Sequence, residues 1–167
     1  MTAANSPETA KARIIDVLRI GLIAGVAGSI TIWIYEYFVL FKLLHQSDTA
    51  AGVVRHTALL VFGPGPLSSG NSGFMLGALI HCVTGVVWAI AFAAIWPSLA
   101  EFKIEATLAG LAFGAFAWLI MHLVVLALLS PDPPVYTPYA VINGFMSHMV
   151  AFAVPIALTV KALQPPR

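Results

Sequence analysis

Four long apolar stretches dominate this sequence and limit what it can fold into. They lie near residues 18–41, 74–96, 106–129 and 139–161. A helix needs about 20 residues to cross a bilayer core of about 30 Å, and each stretch is long enough. Only 9% of the 167 residues are charged, whereas a soluble domain carries about 25%. The sequence therefore predicts an all-α integral membrane four-helix bundle, a single domain over residues 1–167.

Lys and Arg residues predict how the bundle is oriented. With four spans, both termini lie on one side of the membrane, together with the loop 97–105. That side holds Lys11, Arg13, Arg19, Lys103, Lys161 and Arg167, and the other side holds Lys42 and Arg55. Cytoplasmic loops carry the excess of positive charge, so we expect cytoplasmic termini. No cleavage-like end follows the first span, which is expected to stay as a membrane anchor.

Two connections then face the outer side, the long loop 42–73 and the loop 130–138. Within the first, residues 47–62 predict a short amphipathic helix on the outer membrane surface. Residues 63–73 predict a flexible, turn-rich connection. The ten N-terminal residues are expected to be disordered, and Pro155 is expected to kink the fourth helix.

Small residues and titratable residues recur four apart in every span. Four residues are about one helical turn, so each set lies along one helix face. The sets are Gly28, Ile32 and Glu36; Gly73, Gly77, His81 and Gly85; Gly110, Gly114, Trp118 and His122; and Ala140, Gly144 and His148. Small residues with this spacing mark close contacts between membrane helices, and ionisable residues in a membrane face the bundle interior. The carboxyl group and the three imidazole rings are therefore predicted to point inward.

The four titratable residues also share a depth. Counted from the outer end of each span at 1.5 Å per residue, the depths are about 7 Å for Glu36, about 10 Å for His81 and His122, and about 13 Å for His148. One carboxyl group and three imidazoles, each from a different helix, thus fall in one layer of the outer half. This layer predicts a single shared polar site.

Three kinds of chemistry are open to such a site. Glu36, His81, His122 and His148 are a reasonable ligand set for Zn, Fe or Mn, and helical bundles build metal sites in this way. A haem with two axial histidines ranks lower, because it leaves the third histidine and Glu36 without a role. The third option is a proton-responsive cluster with no cofactor, since histidine titrates near neutral pH.

A structural interpretation stands beside these three. A histidine inside a membrane bundle can simply form a hydrogen bond with a backbone carbonyl or a neighbouring polar side chain. The candidate side chains are Thr84, Asn143 and Ser147. In that case the rings pack separately and form no site.

Other function classes receive little support from the sequence. The net charge of +1 gives no indication of nucleic-acid binding, and the single cysteine excludes an internal disulfide framework. No phosphate-binding loop, nucleophile elbow or HExxH motif is present, so an enzyme is the least favoured class. The glycine faces favour one further hypothesis, a homo-oligomer or an accessory subunit of a larger membrane complex.

Three segments resemble the YagU-like family of bacterial inner-membrane proteins. They are GLIAGVAGSITIWIYE, LAGLAFGAFAWLIMHLVVLALLSPDPP and GFMSHMVAFAV, and the resemblance covers residues 20–160. The matched positions include Glu36, His122 and His148. The family's Pro-Pro-Arg sequence after the first helix is replaced here by FVLFKLLHQ, so no role of that motif carries over. The resemblance implies a multi-pass protein of the bacterial inner membrane, and one member of the family is associated with acid resistance, which agrees with a proton-responsive site.

Overall fold

The protein is a bundle of long helices in a computed structural model that describes residues 7–43, 49–130 and 136–164. Those ranges contain helices and turns but no strand. Four helical stretches are long and apolar enough to cross a membrane, and they are Ala10–Val39, Gly70–Glu101, Ala106–Leu129 and Pro138–Leu163. The predicted all-α membrane bundle is confirmed.

Five helices make up the described chain. Helix α1 spans Pro7–Glu36 and continues into π-helical turns at Tyr37–Leu43, and α2 spans Thr49–Phe62. After a 3-10 turn at Pro66–Ser68, α3 spans Gly70–Glu101. Helix α4 spans Ala106–Leu129 with a π-helical segment at Met121–Val125, and α5 spans Pro138–Leu163 with a π-helical segment at Ser147–Ala153.

Two helices extend further than the apolar stretches predicted. Helix α1 begins at Pro7, inside the N-terminal ten residues that we expected to be disordered. Helix α3 begins at Gly70, inside the predicted connection 63–73, and continues through Pro97 to Glu101. Apolarity marks the part of a helix that lies in lipid, but a helix continues into water until its backbone is capped.

The turn between α3 and α4 shows how these helices end and begin. Lys103 has a φ of 56°, a left-handed conformation that is typical of a helix C-terminus. The Glu105 carboxylate then caps α4 by accepting hydrogen bonds from the backbone N–H groups of Thr107, at 2.6 Å, and Leu108, at 3.2 Å. Desolvation raises the pKa of Glu105, but these hydrogen bonds and the charge of Lys161 outweigh it, so the pKa lies below its ordinary value.

Aromatic and branched side chains from α1, α3, α4 and α5 form the core. Its largest fully buried members are Ile32, Phe92, Trp96, Ile156 and Val160. The rings of Phe92 and Trp96 stack with centroids 6.0 Å apart. Apolar side chains also cover the outside of the bundle, and on α3 they recur every four residues at Met75, Leu79, Val83 and Val87, each more than half exposed. Exposed apolar surface of this extent is expected to contact lipid.

The glycine faces lie at helix–helix contacts, as the sequence predicts. Gly25 and Gly85 face one another between α1 and α3. Gly114 of α4 lies against the backbone of His148 and Met149 in α5. Because glycine has no side chain, the backbones approach closely at these points.

Helix α2 confirms the predicted helix in the long connection, but it packs against α3. Gly77 of α3 lies directly against the backbone carbonyl of Val54. Val54 and Ala58 are buried, whereas Arg55 and His56 on the opposite face are exposed. The connection 42–73 is therefore largely helical where it is described, and α2 is held by α3 as well as by any membrane surface. Residues 44–48 of this connection and 131–135 of the second one lie outside the described ranges.

Pro155 is accommodated by α1. In a regular helix the N–H of residue 155 would bond to the carbonyl of Ala151, and proline has no N–H. The Thr31 hydroxyl donates a hydrogen bond to the Ala151 oxygen at 2.6 Å. The π-helical segment Ser147–Ala153, with its wider turns, ends just before Pro155, and the kink expected at this proline stays a prediction.

Gly114→Ala is expected to destabilise the bundle. A Cβ atom at this position would lie 2.6 Å from the Met149 Cα and 2.8 Å from the His148 carbonyl carbon, so α4 and α5 would have to separate. Overpacking of this kind costs about 1–3 kcal/mol. Thermal unfolding in detergent, followed by circular dichroism, measures the effect.

Gly52→Ala on α2 is the matched control, since a Cβ atom there meets nothing within 4 Å. Alanine is a better helix former than glycine, so this variant should gain up to about 1 kcal/mol. Equal stability of the two variants would contradict the close α4–α5 contact.

Candidate functional site

Contacts between α1 and α5 define the depth of His148. The Tyr35 hydroxyl donates to the Asn143 side-chain oxygen at 3.2 Å, and the Thr31 hydroxyl donates to the Ala151 oxygen. His148 lies between Asn143 and Ala151 in α5, so it lies between the levels of Tyr35 and Thr31 on α1.

His81 of α3 lies in the same layer. Its ring is 5.8 Å from the Trp33 ring of α1, measured between centroids, and Trp33 is between Thr31 and Tyr35 in sequence. His81 is close enough to His148 for the two rings to interact electrostatically. The common depth that the sequence predicts for these two histidines agrees with these contacts.

His122 and His148 form the closest histidine contact in the described chain. Their ring centroids are 5.7 Å apart and the ring planes are nearly perpendicular, at 80°. His122 comes from α4 and His148 from α5, and both rings are partly buried. Gly114, four residues from Trp118 and eight from His122, makes this contact possible by letting α4 approach the His148 backbone.

Backbone carbonyl groups orient both rings of the pair. The Nδ1 atom of His122 lies 3.1 Å from the Trp118 oxygen, and the Nδ1 atom of His148 lies 2.9 Å from the Gly144 oxygen. A carbonyl oxygen only accepts hydrogen bonds, so each Nδ1 carries a proton and donates it. In a neutral imidazole the other nitrogen, Nε2, then has a free lone pair. Each ring thus presents a base or a metal ligand on its outer edge.

Aromatic side chains enclose this histidine pair. The Trp118 ring stacks on His122 with centroids 4.5 Å apart and an interplanar angle of 20°. The Phe145 ring also contacts Trp118, with centroids 4.2 Å apart, and the Phe152 ring centroid lies 6.2 Å from that of His148. The pair therefore sits in an apolar environment in which any added charge is poorly solvated.

Both histidines of the pair lie in π-helical segments. His122 is in Met121–Val125 and His148 is in Ser147–Ala153. In the first segment the N–H of Leu126 bonds to the Met121 oxygen instead of the His122 oxygen. The Tyr136 hydroxyl donates to that His122 oxygen at 2.8 Å. Such segments are frequent at functional sites, and here the wider turn releases a carbonyl that ties the α4–α5 connection to the pair.

Glu36 lies close to the same layer, one residue beyond Tyr35 in α1. It is the last residue of the regular part of α1 and is followed directly by the π-helical turns. It is partly buried and interacts electrostatically with its neighbour Tyr35, which bridges to Asn143 of α5.

The structure thus joins some of the predicted site residues and separates others. It brings His122 and His148 together, with His81 in electrostatic range of His148. Among the described residues, no group of three or more His, Cys, Asp or Glu side chains is placed to hold a metal ion. The predicted four-ligand set of Glu36, His81, His122 and His148 is therefore not assembled as one metal site in this conformation.

Two tryptophan N–H groups in this layer are buried without a hydrogen-bond acceptor among the described residues. They are the Nε1 atoms of Trp33, beside His81, and of Trp118, beside His122. Trp118 is only 4% exposed, and its Nε1 faces Gly144. Buried polar groups normally have hydrogen-bond partners. These two N–H donors therefore make the layer suited to a ligand that carries a hydrogen-bond acceptor.

Sequence reasoning missed Tyr136 and did not predict that Trp118 stacks on His122. The spacing of Trp118 and His122, four apart on one helix, is the signal that predicts their stacking. Nothing in the sequence indicates that Tyr136, in a proline-rich connection, reaches back to the His122 carbonyl.

No family model, curated protein or solved structure matches this chain. The resemblance to the YagU-like family stays a prediction from the three segments that carry it.

The stacking of Trp118 on His122 predicts a pH-dependent tryptophan fluorescence. An imidazolium ring in contact with indole quenches its emission, so emission should fall as the pH is lowered and the ring takes up a proton. Because the apolar environment opposes the added charge, the titration should extend from about pH 8 to about pH 4. Trp118→Phe and His122→Gln should each reduce the amplitude of this transition, and the Trp33–His81 contact accounts for a remainder. His56→Gln, on the exposed face of α2, is the control and should keep it. A transition of full amplitude in both site variants would show that the stacking does not report on this ring.

Proposed function

We propose that the protein is a proton-responsive membrane protein, in which protonation of the His122–His148 pair loosens the contact between α4 and α5. The observation that carries this proposal is the pair itself, two rings 5.7 Å apart that each use Nδ1 on a backbone carbonyl. The Nε2 atoms of this pair are available for added protons, and charge on both rings would act against the contact between α4 and α5.

Protons enter at the Nε2 atoms. Each ring keeps its Nδ1–H on a carbonyl, so a proton added at Nε2 makes an imidazolium without disturbing that hydrogen bond. A single imidazolium in this pair lies near aromatic side chains. One of them is Trp118, and the face of its ring attracts cations. The first proton is thus compatible with the packing seen here.

A second proton opposes this packing. Two unit charges at the separation of the ring centroids, 5.7 Å, repel by roughly 3 kcal/mol at an effective dielectric constant of about 20. His122 belongs to α4 and His148 to α5, and Gly114 holds the two backbones together close by. Repulsion between the rings therefore acts directly against the α4–α5 contact.

Other groups of the layer extend the response to the remaining helices. His81 of α3 interacts with His148, so its protonation adds to the same repulsion. Glu36 of α1 contributes a carboxyl group to the layer. One member of the YagU-like family, which this chain resembles, is associated with acid resistance, and this agrees with a protein that changes its packing when the outer side becomes acidic.

Hydrogen exchange of the full chain in lipid nanodiscs tests the proposal. At about pH 4, low enough to charge imidazoles in an apolar environment, the backbone amides near the pair, in 118–126 and 141–150, should exchange faster than at pH 8 after correction for the intrinsic effect of pH. His148→Gln should abolish this difference, because glutamine keeps the polar contact but takes up no proton.

His56→Gln is the control for charge lost elsewhere, and it should keep the full difference. Identical protection at the two pH values in the unmodified protein would contradict the proposal. A difference that persists in His148→Gln would assign the response to another group.

Metal binding by the histidine pair is the second candidate function. Two imidazoles that share one ion at about 2.1 Å in tetrahedral geometry have ring centroids roughly 5 Å apart, close to the separation observed. A backbone carbonyl on Nδ1 is also the usual support for a metal-bound histidine. His81 is the nearest source of a third ligand, after a movement of its ring. The close α4–α5 contact at Gly114 favours a bare ion such as Zn, Fe or Mn over a haem.

Addition of Co²⁺ to purified protein tests the metal candidate. Tetrahedral binding should give visible absorption at one ion per chain, and His148→Gln should reduce it at least about tenfold. His56→Gln is again the control. If Co²⁺ shows no saturable binding, metal binding by the histidine pair is excluded. The proton-responsive proposal is not affected by that result.

The third hypothesis, an accessory subunit, concerns the outside of the bundle. Its support is the apolar surface of the helices, which lipid alone also covers. The glycine faces, by contrast, are used by contacts within the chain.

A further inference from the structure

A cleft opens at the end of the bundle that carries both termini. It has a volume of about 900 Å³ and lies between the N-terminal part of α1 and the C-terminal ends of α3 and α5. Its charged lining residues are Arg13, Asp16, Arg19 and Glu101. Ligand sites typically measure about 300–1,000 Å³, so a lipid headgroup fits here.

The floor of the cleft offers an unpaired acceptor. Trp96 and Ile20 are 2% and 3% exposed and form its apolar base. The Trp96 indole N–H donates to the backbone oxygen of Gln164 at 3.1 Å. The side-chain oxygen of Gln164 is buried and has no hydrogen-bond donor among the described residues. Because the Gln164 side chain lines the cleft, a rotation of this side chain would let the oxygen accept a hydrogen bond from a ligand there.

The exposed side chains beside the cleft indicate that it lies near the end of the apolar part of α1. Ile14, Ile15 and Leu18 lie beside Arg13 and Arg19 on α1 and are 60%, 53% and 48% exposed. Apolar side chains with this exposure face lipid, and arginine at the edge of the apolar region places its guanidinium among the headgroups. The cleft is therefore open to lipid on its apolar side and to headgroups at its charged rim.

We propose that this cleft binds a phospholipid whose headgroup carries a phosphate and a primary ammonium, as in phosphatidylethanolamine. The guanidinium groups of Arg13 and Arg19 bind the phosphate, for which arginine has matching geometry. The carboxylates of Asp16 and Glu101 and the unpaired oxygen of Gln164 accept the N–H groups of the ammonium.

The charges of the lining select this headgroup. Two arginines and two carboxylates sum to zero, which matches a zwitterion. An anionic headgroup without an ammonium leaves Asp16 and Glu101 unpaired beside a phosphate. A trimethylammonium headgroup has no N–H for Gln164. The ion pair between Arg19 and Asp16 is 3.7 Å long, with side chains 69% and 63% exposed, so it is weak and both partners are available to the lipid.

Native mass spectrometry of the full chain, purified in detergent, measures the binding of phosphatidylethanolamine, phosphatidylcholine and phosphatidylglycerol of the same acyl composition. Phosphatidylethanolamine should bind about tenfold more tightly than the other two, as one or two charge-assisted hydrogen bonds predict. The double variant Arg13→Gln, Arg19→Gln should lose about tenfold in its affinity. Gln164→Ala should weaken binding of phosphatidylethanolamine and leave that of phosphatidylcholine unchanged.

Lys11→Gln is the control, because Lys11 is exposed on α1 and is not a lining residue of the cleft. Its lipid binding should equal that of the unmodified protein. Equal affinity for phosphatidylethanolamine and phosphatidylcholine, or a preference for phosphatidylglycerol, would overturn the proposal. If free phosphoethanolamine competes as strongly as the lipid does, the cleft binds a soluble compound instead of a lipid. If the double variant loses its helical circular dichroism, the Gln164→Ala comparison decides.

Discussion

Close backbone contact between helices is the constraint on which the rest of this structure depends. Lipid supplies no hydrophobic force that would drive one apolar helix onto another, so packing must hold the bundle together. Gly114 against His148, Gly85 against Gly25 and Gly77 against Val54 let three pairs of helices approach closely. The histidine pair exists only because the first of these contacts brings α4 and α5 to this distance.

The π-helical segments give these contacts their polar chemistry. A wider turn shifts backbone hydrogen bonds by one residue, as at Leu126 and Met121, and so releases carbonyl oxygens inside a membrane, where an unpaired carbonyl is costly. The released His122 oxygen is satisfied by Tyr136 from the following connection. The side chains of His122 and His148 use the carbonyl groups four residues earlier. The irregular backbone and the titratable side chains are thus parts of one hydrogen-bonded arrangement.

The sequence predicts much of this architecture, because four-residue spacing maps directly onto a helix face. The buried glycine faces follow from that spacing, the four spans follow from the length of the apolar stretches, and the shared layer of His81 and His148 follows from their distances to the outer ends of the spans. The four-ligand site does not follow, because spacing places a residue on a face and at a depth but leaves its direction around the bundle axis open. Glu36 shows the difference, since it is predicted at the right depth but does not join the two histidines in a group of metal-ligating side chains among the described residues. The π-helical segments and Tyr136 also escape prediction, because they depend on contacts between distant parts of the chain.

The two polar regions of the protein lie at opposite ends of the same helices, and the core between them is apolar. Phe92, Ile156 and Val160 are fully or almost fully excluded from solvent, and they occupy the level between the histidine layer and the cleft at the termini. The buried side chains at this level are mainly aromatic and aliphatic, and the hydroxyl of Ser29 is a buried polar group among them. The proposed response of the histidine pair is a change in how α4 and α5 pack, because the two rings belong to these two helices. Helix α5 carries both His148 and the cleft residue Gln164, so one helix joins the proposed proton-responsive pair to the proposed lipid site.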